Sequence, residues 1–163
     1  MTSPQRKALF LDRDGVINVD GDYVHRKKDF VFIDGIFDLC RMALAKDYLV
    51  IVITNQSGIG RGLYTEADFQ KLTTWMHEEF AREKAPLTAV YHCPHAPGDG
   101  CYCRKPKPGM LMAAQREWNI DMAHSIFIGN METDIKAGRG AKVGRNVLLG
   151  KDVESLAEVI PSL

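Results

Sequence analysis

The chain alternates short apolar runs with stretches of helical periodicity, and this alternation constrains its fold more than any other feature. Five runs rich in β-branched residues recur along the sequence, at Ala8–Leu11, Leu49–Ile53, Leu87–Tyr91, Ser125–Ile128 and Arg145–Leu149. Strands that alternate with helices form βαβ units, which build a doubly wound, mostly parallel sheet. The sequence therefore predicts an α/β protein.

Three helices are predicted between these strands. Residues 34–45 have apolar side chains three and four positions apart, which is the pattern of an amphipathic helix. A second helix begins after Thr65, a capping residue followed by early acidic residues, and continues to Phe80. A third begins at Pro108, because proline suits the first turn of a helix, and runs toward Trp118.

Composition limits the kinds of protein that this chain can be. Its 163 residues are 45% hydrophobic, which suits one domain, residues 1–163, with a sizeable core. Lysine plus arginine equals aspartate plus glutamate at 21 each, so no net charge directs the chain toward nucleic acid or a membrane. Residues 1–7 are polar and lack a signal core, and no segment is long enough to span a bilayer. We expect a cytoplasmic monomer.

Two carboxylates follow the first strand, in the order Asp12-Arg13-Asp14-Gly15. Ligands of open α/β sheets bind at the carboxyl ends of the strands, where these residues lie. A carboxylate there can attack phosphorus as a nucleophile, and a second can reach the leaving oxygen as a general acid. Gly15 permits the sharp turn that this requires. A plain solvated turn is the alternative interpretation.

Phosphate-compatible groups also follow the second strand. Thr54 brings a hydroxyl and Asn55 an amide to the edge of the sheet that carries Asp12, where they can bind phosphoryl oxygens. Three glycines come next, at Gly58, Gly60 and Gly62. With Arg61 among them, they predict a mobile loop that approaches an anion. A plain glycine-rich connection is the alternative.

A basic stretch, Arg104-Lys105-Pro106-Lys107-Pro108, precedes the third helix. Its prolines restrict the backbone and would direct the cations, which a merely solvated charge cluster does not require. An ammonium about 4 Å from a phosphate oxygen contributes roughly 4 kcal/mol at an effective dielectric constant near 20. That is enough to affect both binding and catalysis.

Oxygen ligands follow the fourth strand. Asn130 comes directly after Gly129, and Asp134 lies four residues further on, in the first turn of the next helix. Their oxygens could complete a Mg²⁺ site. Asp134 could equally be an acid that the helix dipole favours at an N-terminus.

Three of the four cysteines lie within eleven residues, which in a reducing compartment indicates metal binding. Cys93, His95, Cys101 and Cys103 form two pairs with one-residue gaps, joined by a short polar loop. This set matches a closed tetrahedral Zn²⁺ site. Buried cysteines or redox chemistry are the alternatives. The loop leads directly to Lys105, so zinc would fix the path of the chain that carries this cation.

Together these features resemble the haloacid dehalogenase phosphatase superfamily, whose motifs occupy the same strand ends in the same order. Within it, the chain resembles the D-glycero-D-manno-heptose 1,7-bisphosphate phosphatases, which are related to the histidinol-phosphate phosphatases. The segments that carry this similarity are residues 17–20, 23–25, 32–35, 54–58, 72–76 and 103–111. The resemblance implies a Rossmann-like core and a structural zinc loop.

The resemblance also implies roles for individual residues. Asp12 would be the nucleophile that forms an aspartyl-phosphate, and Asp14 would act first as the general acid and then as the general base. Thr54 would bind the phosphate, and Lys105 would neutralise the pair that Asp12 and the phosphate form. Arg104 would contact the substrate.

One metal position departs from the family pattern. The resemblance implies that Mg²⁺ binds the Asp12 carboxylate, the Asp14 backbone carbonyl and a carboxylate at the position of Asn130. An amide oxygen can still ligate but carries no charge, so Mg²⁺ affinity should be lower unless Asp134 compensates. Met131 also stands where relatives usually carry a basic residue.

The expected site is open. Between Asp14 and Thr54 there is room for one loop and one helix, which is too little for a large cap domain. A substrate with a second phosphate would account for three further cations, Arg61, Arg104 and Lys107.

The leading functional hypothesis is a Mg²⁺-dependent phosphatase that removes the C7 phosphate of heptose 1,7-bisphosphate, a small sugar substrate, in lipopolysaccharide or capsule synthesis. A histidinol-phosphate phosphatase is the first alternative. A catalytically impaired phosphate-binding module, suggested by Asn130, is the second. A zinc module that binds nucleic acid is the least favoured, because the net charge is zero and no basic face is evident.

Overall fold

A computed structural model describes residues 4–163 and contains a parallel sheet of five strands in the order β3-β2-β1-β4-β5. The strands are β1 (Ala8–Leu11), β2 (Leu49–Asn55), β3 (Ala89–Cys93), β4 (Ile126–Gly129) and β5 (Arg145–Leu148). All four pairings between neighbours are parallel. The chain order reverses at β1, and ligands of such sheets bind where the order reverses.

Helices cover both faces of the sheet, as in a doubly wound fold. They are α1 (Ile36–Ala45), α2 (Ser57–Gly60), α3 (Glu66–Arg82), α4 (Gly109–Trp118) and α5 (Glu132–Gly140), with 3-10 turns at Lys27–Asp29, Met122–His124 and Leu156–Ser162. Alternate residues of β1 face opposite cores, as the pleat of a strand requires. Leu9 and Leu11 pack in the core below α1 and α3, whereas Phe10 packs in the core below α4 and α5.

The predicted fold class is confirmed, and the boundaries differ by small amounts. β1 occupies the predicted residues, whereas β3 begins and ends two residues later than predicted. The Thr65 side chain accepts a hydrogen bond from the Asp68 amide, which confirms the predicted cap of α3. Pro108 is the residue before α4 rather than part of its first turn. Between Asp14 and Thr54 the chain forms a loop, a 3-10 turn and α1, so there is no large cap domain there.

The glycine-rich segment after β2 differs from the predicted mobile loop. It begins with the helical turn α2 and is packed closely on two sides. A β-carbon added to Gly58 would lie 2.1 Å from Cε1 of Tyr64, and one added to Gly60 would lie 2.8 Å from the carbonyl oxygen of Pro94. These two glycines are therefore required by close packing between segments.

Across residues 4–163, every helix is too short or too polar to cross a membrane. The expected cytoplasmic location depends partly on the polar segment 1–7, of which residues 1–3 lie outside the described residues.

Candidate active site

A buried ion cluster forms where β1, β2 and β4 end. The Lys105 ammonium lies 3.0 Å from Asp12 Oδ1, 2.6 Å from Asp134 Oδ1 and 2.8 Å from the carbonyl oxygen of Ile53. The three charged residues are buried, and Lys105 is only 3% exposed. The sheet therefore brings together one cation and two carboxylates that are far apart in the sequence.

The charges in this cluster depend on one another. Burial raises the pKa of the Asp12 carboxyl to about 7, although Lys105 opposes the shift. Burial alone would disfavour the Lys105 ammonium, but the Asp12 and Asp134 carboxylates raise its pKa above the ordinary value. Lys105 consequently remains charged at neutral pH and stabilises an anion at the end of β1.

Asn55 fixes the backbone that carries this cation. Its Oδ1 accepts a hydrogen bond from the Lys105 amide at 3.0 Å, and its Nδ2 donates to the Lys105 carbonyl at 3.2 Å. The peptide bond between Lys105 and Pro106 is cis. Asn55 lines the cavity described below. Substrate binding by Asn55 stays a prediction, and the contacts of its side chain are with Lys105.

Thr54 lies below the surface of the site. Its side chain is fully buried, and Oγ1 accepts a hydrogen bond from Gln56 Nε2 at 2.9 Å. Oγ1 also lies 3.4 Å from the carbonyl oxygen of Asn55. The phosphate contact predicted for Thr54 stays a prediction, because the hydroxyl lies behind Gln56 and is not part of the cavity wall.

Several N–H donors hold the Asp14 carboxylate. Arg13 donates from Nε at 3.2 Å and from Nη2 at 3.0 Å to Oδ1, which also accepts from Asn18 Nδ2 at 3.0 Å. Gln56 Nε2 donates to Oδ2 at 3.0 Å. The Asp14 side chain is 24% exposed, so it is fixed by these contacts and still accessible from the cavity.

Sequence reasoning missed these supporting residues. Arg13, Asn18 and Gln56 lie inside the motifs that were recognised, and Tyr64 lies just beyond them. The sequence pattern placed them near the site but did not indicate the direction of their side chains. Arg13 is 1% exposed although it is charged, because its guanidinium bonds to Asp14 and donates to the Val24 carbonyl at 2.7 Å.

Asn130 lies beside the turn that carries the two carboxylates. A β-carbon added to Gly15 would lie 2.0 Å from Asn130 Nδ2, so the absence of a side chain at Gly15 makes room for the amide. Asn130 Oδ1 is buried and has no hydrogen-bond partner. A buried carbonyl oxygen without a donor suits a hard cation, so the residues at this point fit a Mg²⁺ site.

The contacts of Asp134 match the helix-terminus interpretation. Its Oδ2 accepts hydrogen bonds from the amides of Asn130 and Met131 at 3.1 and 3.2 Å, at the start of α5. Its Oδ1 pairs with Lys105. Both carboxylate oxygens are thus engaged by N–H groups. Mg²⁺ ligation by Asp134 stays a prediction.

These groups open into a cavity of about 380 Å³ at the carboxyl edge of the sheet. Asp12, Asp14 and Lys105 line it, and so do the predicted substrate residues Arg61 and Arg104. Arg104 Nη1 is buried without a hydrogen-bond partner. The cavity therefore combines a candidate nucleophile, a candidate proton donor and cations for an anionic ligand.

The predicted cysteine and histidine ligands converge on one point. Their four ligand atoms all lie within 4.8 Å of one another. His95 Nδ1 is 3.4 Å from the sulfur of Cys93 and 3.2 Å from that of Cys103, and the sulfurs of Cys93 and Cys101 are 3.6 Å apart. Such spacing is compatible with a tetrahedral zinc site, in which each ligand lies about 2.0–2.3 Å from the metal.

Two neighbouring residues are engaged elsewhere. His92 Nε2 lies 2.8 Å from a carboxylate oxygen of Glu66, and the His92 ring stacks on Phe69, so it is not part of the ligand cluster. Lys107 donates to the carbonyl oxygen of Cys101 at 2.5 Å, within the cysteine loop. Of the three additional cations, only Arg61 and Arg104 line the cavity.

The parallel sheet, the paired carboxylates after β1 and the buried lysine that contacts Asp12 define the haloacid dehalogenase superfamily. A family model described as polynucleotide kinase 3 phosphatase matches residues 9–146. The D-glycero-alpha-D-manno-heptose-1,7-bisphosphate 7-phosphatase of Campylobacter jejuni is 53% identical over 146 residues, which cover 90% of this chain and 84% of that protein.

A second relative is the D-glycero-beta-D-manno-heptose-1,7-bisphosphate 7-phosphatase of Helicobacter pylori, which is 49% identical over 88% of this chain and 83% of that protein. The crystal structure of D,D-heptose 1,7-bisphosphate phosphatase from B. bronchiseptica, complexed with magnesium and phosphate, has a TM-score of 0.87. It is 31% identical and covers 96% of this chain and 97% of that one. The chain belongs to the family of the heptose-1,7-bisphosphate 7-phosphatases.

Proposed function

We propose that this protein removes the C7 phosphate of D-glycero-D-manno-heptose 1,7-bisphosphate. The observation that carries the proposal is the buried contact of Lys105 with Asp12, in a cavity that Asp14 also lines. This arrangement supports phosphate transfer to a carboxylate. The relatives named above supply the substrate, since 53% identity over most of both chains favours a shared reaction.

The reaction has two steps. In the first, an Asp12 carboxylate oxygen attacks phosphorus, the bond to the sugar oxygen breaks, and Asp14 gives a proton to that oxygen. In the second, Asp14 takes a proton from water, which attacks the phosphorus of the aspartyl-phosphate and releases inorganic phosphate. Lys105 reduces the repulsion between the Asp12 carboxylate and the incoming phosphate.

Mg²⁺ would bind beside the nucleophile. We assign to it the Asp12 carboxylate, the Asp14 backbone carbonyl and the buried, unpartnered Oδ1 of Asn130. When bound, Mg²⁺ supplies positive charge to the phosphoryl oxygens in the transition state. Asn130 provides a neutral oxygen, so we expect weaker Mg²⁺ binding than a carboxylate at this position would give.

A structural Zn²⁺ would complete the loop of Cys93, His95, Cys101 and Cys103. This donor set leaves no open coordination position, which is the character of a structural site. The cluster requires free thiolates, so a reducing compartment, the cytoplasm, is the expected location.

Two arginines suit the second phosphate of a bisphosphate. Arg61 and Arg104 line the same cavity as Asp12, and Nη1 of Arg104 has no protein partner. A small substrate with two phosphates can therefore place one at Asp12 and the other near these cations. We expect a monomer to be active, because all the groups assigned here come from one chain.

Phosphate release tests the proposal. The protein is incubated with the alpha and beta anomers of heptose 1,7-bisphosphate and with histidinol phosphate, each with Mg²⁺ or with EDTA. We expect release from a heptose bisphosphate that depends on Mg²⁺, and much slower release from histidinol phosphate. Both anomers are needed because the relatives are named for different ones.

Two results would contradict the proposal. Faster release from histidinol phosphate would assign the chain to that activity instead. Binding of heptose bisphosphate without release, in the wild type and in Asn130→Asp, would support an inactive binding module. Asp12→Asn serves as the control, since it removes the nucleophile and leaves the cavity intact.

A further inference from the structure

Gln56 connects the second strand end to the candidate acid. Its side chain is only 3% exposed, and Nε2 lies 3.0 Å from Asp14 Oδ2 and 2.9 Å from Thr54 Oγ1. The backbone N–H of Gln56 donates to the Cys93 carbonyl oxygen at 2.8 Å, and this bond fixes the backbone of Gln56. Gln56 therefore acts as a bridge between β2 and the turn after β1.

Tyr64 holds Gln56 from the other side. Its hydroxyl donates to Gln56 Oε1, and the tyrosine is only 6% exposed. The Tyr64 ring lies against Gly58 and stacks on His25 with the ring centres 4.9 Å apart. Because Tyr64 engages the oxygen of the amide, the Gln56 nitrogen faces Asp14.

The other donors to Asp14 come from its own turn. Arg13 precedes it in the sequence and Asn18 follows four residues later, so both move with that turn. Among the described residues, Gln56 is the one side chain hydrogen-bonded to Asp14 that lies outside this turn, directly after β2. It thus sets the position of the carboxylate relative to the sheet. Proton transfer is sensitive to displacements of about 1 Å, so this contact should affect the rate.

We propose that Gln56, held by Tyr64, is a positioning residue for Asp14. It acts through the carboxylate and forms no bond to the reacting atoms. The inference rests on the proposed function, in which Asp14 protonates the sugar oxygen and later activates water. Loss of the Gln56 nitrogen should slow these two proton transfers and leave substrate binding almost unchanged.

Three single variants separate positioning from packing. Gln56→Leu removes both polar atoms, Gln56→Glu keeps the shape and the contact with Tyr64 but loses the donor, and Tyr64→Phe removes only the hydroxyl. We expect kcat for the sugar bisphosphate to fall about 30-fold in Gln56→Leu and at least as much in Gln56→Glu, with KM within about threefold. Gln56→Glu also places a carboxylate beside Asp14, so a packing role is judged on Gln56→Leu, for which it predicts lower thermal stability with kcat close to the wild type.

The double variant Gln56→Leu/Tyr64→Phe tests whether Tyr64 acts through Gln56. We expect about a fivefold loss of kcat in Tyr64→Phe and no further loss when it is added to Gln56→Leu, because coupled residues are not additive. Multiplication of the two losses would overturn this part of the inference. Gln70→Leu, on the exposed face of α3, is the matched control and should keep full activity.

Hydrolysis of 4-nitrophenyl phosphate distinguishes a positioning role from a packing role, because only the former should slow the two chemical steps unequally. Its leaving group departs without a proton, whereas hydrolysis of the aspartyl-phosphate still needs Asp14. In Gln56→Leu we expect the rate of the first turnover to lie within about threefold of the wild-type rate, and the steady-state rate to be about 30-fold lower. Nitrophenol release should therefore show a burst of about one equivalent per enzyme. Equal slowing of both phases would overturn the inference, and thermal unfolding of each variant checks its fold.

The substrate assignment and this inference can fail separately. If the wild type hydrolyses 4-nitrophenyl phosphate but neither heptose bisphosphate anomer, the proposed substrate is wrong. The burst pattern of the variants then still decides the role of Gln56. If the wild type releases heptose phosphate and the variants show no burst, the inference is wrong and the proposed function stands.

Discussion

The chain contains a cluster of metal-type ligands and a cluster of buried charges, and the two are built in opposite ways. The cysteine cluster takes its four ligand atoms from residues 93–103, and most of these residues are partly exposed. The ion cluster joins Asp12 to Lys105, which are 93 positions apart in the sequence, and it is almost entirely buried. A local cluster is defined by spacing in the sequence, whereas a distributed one exists only after the sheet has formed.

The two clusters are also physically connected. Cys103 lies two residues before Lys105, and the Cys93 carbonyl oxygen accepts a hydrogen bond from the backbone N–H of Gln56. We therefore expect the cysteine cluster to hold in place the chain segment that carries Lys105 into the ion cluster. Four substitutions test how far the two clusters depend on each other.

Asp12→Asn should have the largest effect. It removes the proposed nucleophile, so we expect phosphate release to fall by at least about 1,000-fold, while zinc content stays at the wild-type value. Colorimetric phosphate assay and metal analysis of the same preparation check both expectations. Asp29→Asn, at an exposed 3-10 turn, is the control. Loss of zinc from Asp12→Asn would show that the two clusters are not separate.

Lys105→Met should affect both stability and activity. Removing the cation leaves the buried Asp12 and Asp134 carboxylates without a compensating positive charge, which costs about 3–5 kcal/mol of unfolding free energy. We also expect at least about a 100-fold loss of phosphate release. Urea unfolding measures the first effect and steady-state kinetics the second. Lys71→Met, on the surface of α3, should change neither.

The stability of Lys105→Met should depend on pH in a defined direction. The pKa of Asp12 is about 7 with Lys105 present, and loss of that opposing charge moves it higher. An acid whose folded-state pKa lies above its unfolded value destabilises the fold as pH rises between the two values. Metal-free urea unfolding should therefore give lower stability at pH 8 than at pH 5.5. The opposite slope would mean that Lys105 does not compensate Asp12.

Zinc removal should have an intermediate effect. In Cys101→Ser we expect loss of bound zinc and about a tenfold fall in activity, because the segment that carries Lys105 loses its anchor. Metal analysis and phosphate release test this. Cys40→Ala is the matched control, since Cys40 lies in the core and outside the cluster. Full activity in a zinc-free Cys101→Ser protein would remove the proposed link between the clusters.

Asn130→Asp should have the smallest effect, and it should raise activity where the other substitutions lower it. A charged ligand should lower the Mg²⁺ concentration for half-maximal activity by about three- to tenfold and raise turnover by a smaller factor. A Mg²⁺ titration of phosphate release measures both. Identical titrations of the wild type and the variant would show that position 130 is not a ligand. Gln70→Glu adds one negative charge elsewhere and should leave the titration unchanged.

Much of the fold could be predicted because it depends on local patterns. Buried parallel strands are short apolar runs, so β1 was located to the residue. The prediction of where β3 ends was less accurate, because the strand continues through His92 and Cys93, which are not apolar residues of the usual strand pattern. The glycines around α2 were misread as flexibility, since their close packing against Tyr64 and Pro94 depends on distant segments.

Periodicity and spacing were enough to predict the order of the five strands, three of the helices, the candidate cysteine and histidine ligands and the acids after β1. The hydrogen-bond and ion-pair partners of those acids are seen only in the assembled fold. In this fold Asp134 pairs with Lys105, and Thr54 lies behind Gln56. The side-chain amide of Gln56 donates to Asp14. The physical reason is that a strand pattern fixes where a chain segment ends, whereas side-chain contacts between segments depend on the packing of the assembled sheet.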